Sequence, residues 1–309
     1  MATPAADDPL VLHTDPGFRR PLPGPLAAGR RDVLAAIADL RAIADAGLTR
    51  PWSWIGGSEE ELRYGFYRIS EAFELAGIEA AAALRAAGTE RGRAADRIAP
   101  ATAARWDLQG LLITIPDAAW DADPGGDEWT IRQAVGHVIE GQRHYGAATA
   151  WWSTRGYRQE DPGLPPTTPE EVYAALPSEA AETEGTPAAL RDRIDEVVDR
   201  SCEALAGLPE DCLGFGTRWS GFAVDIGFRI GRWSSHLREH TIQVEKTLVM
   251  LGHQPSEVDR LVRLLLASWG QAEAAIYGAA SAEGAAGRLA TAAAEARITA
   301  TELSRLTRG

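Results

Sequence analysis

The sequence predicts an all-α protein built around a four-helix bundle, with extra helices at both ends. After residue 29, apolar residues recur at helical spacing through most of the chain, as in residues 30–46. The only β-like run, Leu111 to Ile115, is short and ends at Pro116. Helices of this length joined by one long crossover, residues 156–185, are typical of a four-helix bundle with additions.

The predicted helices are bounded by recognisable start and stop signals. Ser58 with Glu61, and Thr130 with Gln133, have the spacing of capping boxes, in which side chains bond the free backbone N–H groups of a first turn. Glycine, proline or acidic turns bound the other helices. The predicted helical segments are, in order, residues 30–46, 62–87, 93–114, 130–152, 187–208, 224–251, 255–277 and 282–306.

Two regions lack helical periodicity. Residues 1–29 contain six prolines and are predicted to form an irregular leader. The crossover is rich in proline and acidic residues. The predicted organisation is therefore a leader (1–29), a bundle domain with N-terminal additions (30–280), and a C-terminal helix packed on the bundle (281–309).

Composition narrows the function classes. A net charge of −13 argues against nucleic acids and anionic membranes as partners, because both need clustered Lys and Arg. No run of 18 apolar residues predicts a membrane span, and the N-terminus lacks the apolar core of a signal peptide. Two cysteines, Cys202 and Cys212, indicate a reduced protein without a disulfide framework. We therefore expect a cytoplasmic protein that acts on a small molecule. The two C-terminal helices are candidates either for capping a pocket or for the face of a homodimer.

The most informative residues are His236 and His240. Residues four apart lie on one face of a helix, roughly 5–6 Å apart, so both imidazoles can reach one metal ion. Both histidines face the apolar seam of their predicted helix, and the chain has only six histidines. The alternative is a pair of half-buried histidines that bond to neighbours and do no chemistry. Their position on the seam favours a metal site.

A catalytic zinc site normally has three protein ligands and an open position. His137 and His144 share one predicted helix and lie about 10 Å apart along its axis, so only one of them can reach the ion. Small residues around His137, such as Gly141, would let another helix approach closely. The sequence therefore favours His137 as the third ligand, with His144 as the alternative.

Other catalytic signatures are weak. Residues 236–240 match the inverted zincin pattern H-x-x-E-H, but such proteases have a mixed α/β domain, and no strands of useful length are predicted here. Phosphate-binding glycine loops and the G-x-S-x-G elbow are absent from the sequence. Cys202 and Cys212 are expected to be packing residues.

Two segments carry a family resemblance, namely Leu111-Leu112…Pro116…Trp120…Glu128-Trp129-Thr130…His137-Val138-Ile139-Glu140 and His236-Leu237-Arg238-Glu239-His240. In their order, spacing and helical context they resemble the DinB-like superfamily, which includes a mycothiol-dependent maleylpyruvate isomerase and thiol S-transferases, and the resemblance covers roughly residues 60–255. It implies a four-helix bundle in which His137, His236 and His240 bind a divalent metal.

The resemblance also implies a chemistry. The metal would be zinc first, with nickel or iron as alternatives, and a low-molecular-weight thiol would be the cosubstrate. A metal-bound thiolate would attack a small electrophile, because the metal lowers the pKa of the thiol. The expected function is a thiol-dependent S-transferase or isomerase. The alternatives are a non-catalytic metal-binding or stress-response module and a metal-dependent hydrolase.

Overall fold

The structure, a computed structural model, describes residues 18–54, 57–89 and 91–308. Within these residues the chain is all-α apart from two small hairpins, which confirms the predicted class. The helices are α1 (Gly24–Arg41), α2 (Arg63–Ala86), α3 (Arg93–Leu112), α4 (Ile131–Ser153), α5 (Glu170–Ala174), α6 (Glu179–Glu182), α7 (Pro187–Leu205), α8 (Ile226–Met250), α9 (Glu257–Ala274) and α10 (Glu283–Thr307). The strands are β1 (Pro51–Ser53), β2 (Glu59–Glu61), β3 (Gly216–Trp219) and β4 (Phe222–Asp225).

The long helices form two groups of four. Helices α3, α4, α7 and α8 enclose one apolar core, and this is the predicted bundle. Helices α1, α2, α9 and α10 enclose a second core. The two groups meet where α9 packs along α3. The C-terminal helix α10 lies against α1 and α2. The domain boundaries predicted from the sequence, after residues 29 and 280, stay a prediction.

Helix α1 begins earlier than predicted, inside the proline-rich leader. Pro23 is its N-cap and Pro25 lies in its first turn. Proline suits this place because the backbone N–H groups of a first turn need no partner within the helix, so two of the prolines that indicated irregular structure instead start a helix. Residues 1–17, which include His13, lie outside the described residues.

One of the two predicted capping boxes is present. Thr130 accepts a bond from the backbone N–H of Gln133, whose side chain bonds the backbone N–H of Thr130, as predicted. The prediction at Ser58 and Glu61 was wrong. Residues 59–61 form β2, which pairs with β1 around the buried Trp52, and the backbone groups are used by that hairpin.

The second hairpin was also missed. It joins β3 to β4 through Ser220 and Gly221, both with positive φ, as a two-residue hairpin turn requires. The predicted β-like run is not a strand, because Leu111 and Leu112 end α3. The hairpin delivers Asp225 to the start of α8, where its carboxylate accepts a bond from the N–H of Phe228 and caps the helix.

The crossover between α4 and α7 contains the short helices α5 and α6, which both lie against α4. Arg143 of α4 donates to the buried carboxylate of Glu182 at 2.7 Å and so fixes α6 in place. The crossover thus becomes part of the wall around one end of the bundle.

Buried charges connect the two groups of helices. The fully buried carboxylate of Glu273 accepts from Arg30 at 2.6 Å and from Arg105 at 2.6 Å. Asp199 accepts from the same two arginines, and from the hydroxyl of Tyr277. Burial alone would raise the pKa of Asp199, but Arg105 and Arg30 outweigh it and hold the pKa at about 2.

Among the described residues, none of the helices has the length and apolar character needed to cross a membrane. The cytoplasmic location and the homodimer stay predictions.

Candidate metal centre

Helices α4 and α8 bring three histidines together. The capping box at Thr130 starts α4 so that His137 lies two turns into the helix and faces α8. His236 and His240 lie one turn apart on α8 and face back toward α4. The centroids of the His137 ring and of the other two rings are 5.5 Å and 4.9 Å apart.

The distances between the imidazole nitrogens suit a shared cation. The Nε2 atoms of His236 and His240 are 3.0 Å apart, and each of the three histidines offers a nitrogen within 4.8 Å of the others. Two nitrogens on a tetrahedral zinc are about 3.3 Å apart when each lies about 2.0–2.1 Å from the metal. The three side chains therefore need only small movements to bind one ion.

Gly141 makes room for this cluster. A Cβ atom at position 141 would lie 2.7 Å from Cε1 of His236, which is closer than carbon atoms approach. The glycine therefore lets the His236 ring lie against the backbone of α4. The small residue noted in the sequence beside His137 has this steric role.

Two glutamines orient the α8 histidines. The Gln142 amide lies 3.3 Å from Nδ1 of His236, and Oε1 of Gln243 lies 2.6 Å from Nδ1 of His240. With both Nδ1 atoms engaged, the two Nε2 atoms are directed at each other and at His137. The Gln243 oxygen accepts from Nδ1–H of His240, and an outer contact of this kind is the usual way in which a metal-binding imidazole is held in orientation. The Gln142 atom beside His236 is the amide nitrogen, which also donates to the carbonyl oxygen of Trp233, so Nδ1 of His236 accepts here; a cation bound at Nε2 of His236 would require the Gln142 amide to turn its oxygen toward Nδ1.

The imidazoles on α8 are neutral at physiological pH. Burial, together with the neighbouring His240 and His137, lowers the pKa of His236 to about 3. Burial also lowers the pKa of His240. A neutral imidazole keeps the lone pair that a metal ligand donates.

The third imidazole has a nitrogen with no hydrogen-bond partner. Nδ1 of His137 is buried and finds no partner among the described residues; the nearest carboxylate oxygen, from Glu179, is 3.8 Å away. A buried polar atom without a partner is costly unless something binds it. The residues present therefore fit a divalent cation.

Aromatic rings and carboxylates surround the cluster. Trp129 lies parallel to the His240 ring, and Tyr145 lies edge-on to the His236 ring at 4.9 Å between centroids. Glu140 and Glu179 lie near His137 and form with it a second group that could hold a cation. Gln142, Gln243 and Glu179 were not singled out from the sequence, and Glu140 was quoted there only as part of the segment His137-Val138-Ile139-Glu140. Gln243 and Glu140 lie one helical turn from a histidine, which is a usable signal.

His144 is not part of the cluster. Its Nδ1 lies 3.0 Å from Oε1 of Glu140, and its ring lies against Tyr173. Of the two histidines that the sequence left open as the third ligand, the structure brings His137 to the pair.

A cavity of about 490 Å³ adjoins the centre on the far side of Tyr145. It lies between α4, α5, the β3–β4 hairpin and the start of α8. Its walls include two tyrosines, one tryptophan and three arginines, namely Tyr145, Tyr173, Trp219, Arg218, Arg229 and Arg232. Its size is that of a small-molecule site.

The cysteines do not supply a nucleophile to the centre. Cys202 is fully buried beside Tyr277, and burial raises its pKa well above the ordinary value. Burial also raises the pKa of Cys212. Both are the packing residues that the sequence predicts, because a reactive cysteine needs access and a lowered pKa.

Comparison with known proteins gives one match. The family model of the DinB superfamily matches residues 79–244, just over half of the chain, and this segment contains all three clustered histidines. No curated protein and no solved structure matches the chain. The match agrees with the resemblance read from the sequence and with the four-helix bundle formed by α3, α4, α7 and α8. The chain belongs to the DinB superfamily.

Proposed function

We propose that this protein is a metal-dependent enzyme in which His137, His236 and His240 bind one divalent cation, with zinc as the first candidate. The observation that carries the proposal is the convergence of three imidazoles with nitrogens within 4.8 Å of one another, two of them held neutral. Three protein ligands leave a coordination position free, which is the arrangement of catalytic rather than structural zinc sites.

A bound divalent cation at this centre supplies Lewis acidity, which lowers the pKa of a thiol or water that it coordinates. The protein's own groups hold and shield the reactants. Trp129 and Tyr145 cover two sides of the histidine cluster with aromatic rings. Burial raises the pKa of Tyr145, so its phenol stays protonated at neutral pH and is available as a hydrogen-bond donor.

We propose further that the nucleophile is a low-molecular-weight thiol. Neither cysteine is suited to attack, so a sulfur nucleophile must come from solution. In a transfer reaction the thiol loses its proton, its sulfur forms a bond to an electrophilic carbon, and the leaving group departs with the electron pair of the broken bond. In an isomerisation the sulfur adds to the substrate and is then eliminated, which regenerates the thiol.

Metal content of histidine variants tests the first proposal. Wild-type protein loaded with zinc and desalted should carry one zinc per chain by elemental analysis. His236→Ala should lose it, and His144→Ala is the matched control, because His144 is a half-buried histidine outside the cluster. Full zinc retention in His236→Ala would refute the ligand set.

The thiol is tested separately on the zinc-loaded protein. Glutathione, cysteine, mycothiol and bacillithiol would each be incubated with monochlorobimane, and fluorescent conjugate formation would be followed with wild type and His236→Ala. Acceleration with at least one thiol, lost in the variant, supports the transferase. Hydrolysis of an ester such as p-nitrophenyl acetate by the zinc-loaded protein, measured in a parallel reaction without thiol, would instead make the protein a hydrolase. Zinc binding with neither activity would favour a non-catalytic module.

A further inference from the structure

The cavity beside the histidine cluster has an unusual charge pattern for this chain. Arg218, Arg229 and Arg232 lie on its walls, and none of the described residues that line it is an aspartate or glutamate, although the chain as a whole carries a net charge of −13. Three cations collected around one cavity of an acidic protein create a local positive potential.

Among the residues that the structure describes, two of these arginines have no charged partner. Arg229 is 3% exposed, and it donates to the carbonyl oxygen of Arg218 at 2.6 Å and contacts Tyr173 and the face of Trp219, which are all neutral groups. The Nε atoms of Arg229 and Arg218 are buried without a hydrogen-bond partner within the described part of the chain. Arg232 differs, because Glu239 binds it through two bonds of 2.5 and 2.6 Å.

A buried guanidinium without a carboxylate is unfavourable in a folded protein, because it loses hydration and gains no opposite charge. Burial indeed lowers the pKa of Arg229 to about 10. An arrangement of this kind is stabilised when an anion enters, since the planar guanidinium fork binds a carboxylate or a phosphate through two parallel bonds.

The position of the cavity connects it to the reaction centre. Tyr145 lies between the two, with its ring 4.7 Å from the Trp219 ring on the cavity side and 4.9 Å from the His236 ring on the other. Arg229 and Arg232 precede His236 on α8 by two turns and one turn, so they share its side of the helix. A molecule anchored at the arginines would extend past Tyr145 toward the histidines.

We propose that this cavity binds the anionic group of the enzyme's small-molecule substrate, a carboxylate or a phosphate, through Arg229 and Arg218. The identification of the bound anion as part of the substrate rests on the function proposed above. The anion site itself rests only on the arginines and the cavity that they line. The electrophile would then carry its negative charge at one end and its reactive carbon at the other.

Calorimetric titration with succinate and with inorganic phosphate at constant ionic strength tests the site. The wild-type protein should bind at least one of them saturably, and uncharged succinamide should not bind. Succinate alone indicates a carboxylate substrate, and phosphate alone indicates a phosphate ester. Arg229→Gln should weaken binding at least ~tenfold, because it removes the charge-assisted pair.

Arg238→Gln is the matched control, since it makes the same charge change at an exposed position of the same helix and should leave anion binding unchanged. Circular dichroism would verify that Arg229→Gln is folded, and Arg218→Gln gives a second variant if it is not. No saturable binding of either anion by the wild type, or equal affinity in the folded Arg229 and Arg218 variants, would overturn the proposal.

Zinc content measured on the same variants separates the two proposals. Arg229→Gln should retain zinc as the wild type does, because Arg229 is not part of the histidine cluster. Loss of anion binding with full zinc content would therefore locate the defect in the cavity. A wild type that binds anion but no zinc would refute the metal centre and leave the anion site standing.

Discussion

Gly141→Ala is a steric test of the histidine cluster that leaves every proposed ligand in place. The new Cβ would lie 2.7 Å from Cε1 of His236, where a relaxed carbon contact is about 3.5–4.0 Å. The ring must therefore retreat by about 1 Å, whereas metal–ligand distances tolerate only about 0.2 Å. We expect zinc affinity to fall by about 10–100-fold, the range seen when a ligand loses its proper orientation.

The same substitution should have a modest effect on the metal-free fold. Overpacking at a buried position costs about 1–3 kcal/mol, and alanine recovers up to about 1 kcal/mol over glycine within a helix. Urea unfolding of the metal-stripped protein would measure this free-energy change, and competition with a chromophoric chelator would measure zinc affinity.

Gly231→Ala is the control for both measurements. It lies on α8, and a Cβ there would meet no atom within 4 Å. It should leave zinc affinity unchanged and leave stability unchanged or slightly higher. Wild-type zinc affinity in Gly141→Ala would refute the claim that the glycine positions His236 for metal binding.

Three further predictions concern stability. Glu273→Gln leaves Arg30 and Arg105 with one acid fewer in a buried site, so the free energy of unfolding measured in urea should fall by about 3–5 kcal/mol. Glu79→Gln is the control, because Glu79 belongs to an exposed ion pair, and it should show no measurable change. The pKa of Asp199 is about 2, against an ordinary 3.8, so its stabilising contribution of about 2 kcal/mol is complete only above about pH 5 and is lost as the pH falls through 2. Asp199→Asn should remove that part of the pH dependence of urea unfolding, and an unchanged acid slope would contradict the reasoning. Dialysis against EDTA should lower the melting temperature of zinc-loaded wild type and leave that of His236→Ala unchanged; equal shifts in both would count against the ligand set.

Local sequence rules were enough to predict the existence of the eight long helices in the described part of the chain and the histidine pair, although not the start of α1 or the short helices α5 and α6. The spacing of His236 and His240 fixes their common face whatever the rest of the fold does, and the capping box at Thr130 fixes where α4 begins. The choice of His137 over His144 also followed from local information, namely the small residues beside it, and the structure brings His137 to the pair.

Features that depend on distant pairings could not be predicted in this way. The grouping of α9 and α10 with α1 and α2 is decided by which apolar faces meet in three dimensions, and many pairings satisfy the same helical periodicity. The arginine cavity depends on the β3–β4 hairpin, whose eight strand residues lie in a glycine-rich stretch too short to give a strand signal.

Helix α3 is shared by the two halves of the molecule, and this affects how the chain can be divided. Most of its length is buried on every side, because α7 and α8 cover one flank and α9 covers another. A fragment cut at the limits of the family match, residues 79–244, would keep α3 but lose α9, together with Glu273, the fully buried acid among those that pair with Arg105. We therefore expect the smallest unit that folds on its own to be larger than the segment matched by the superfamily model.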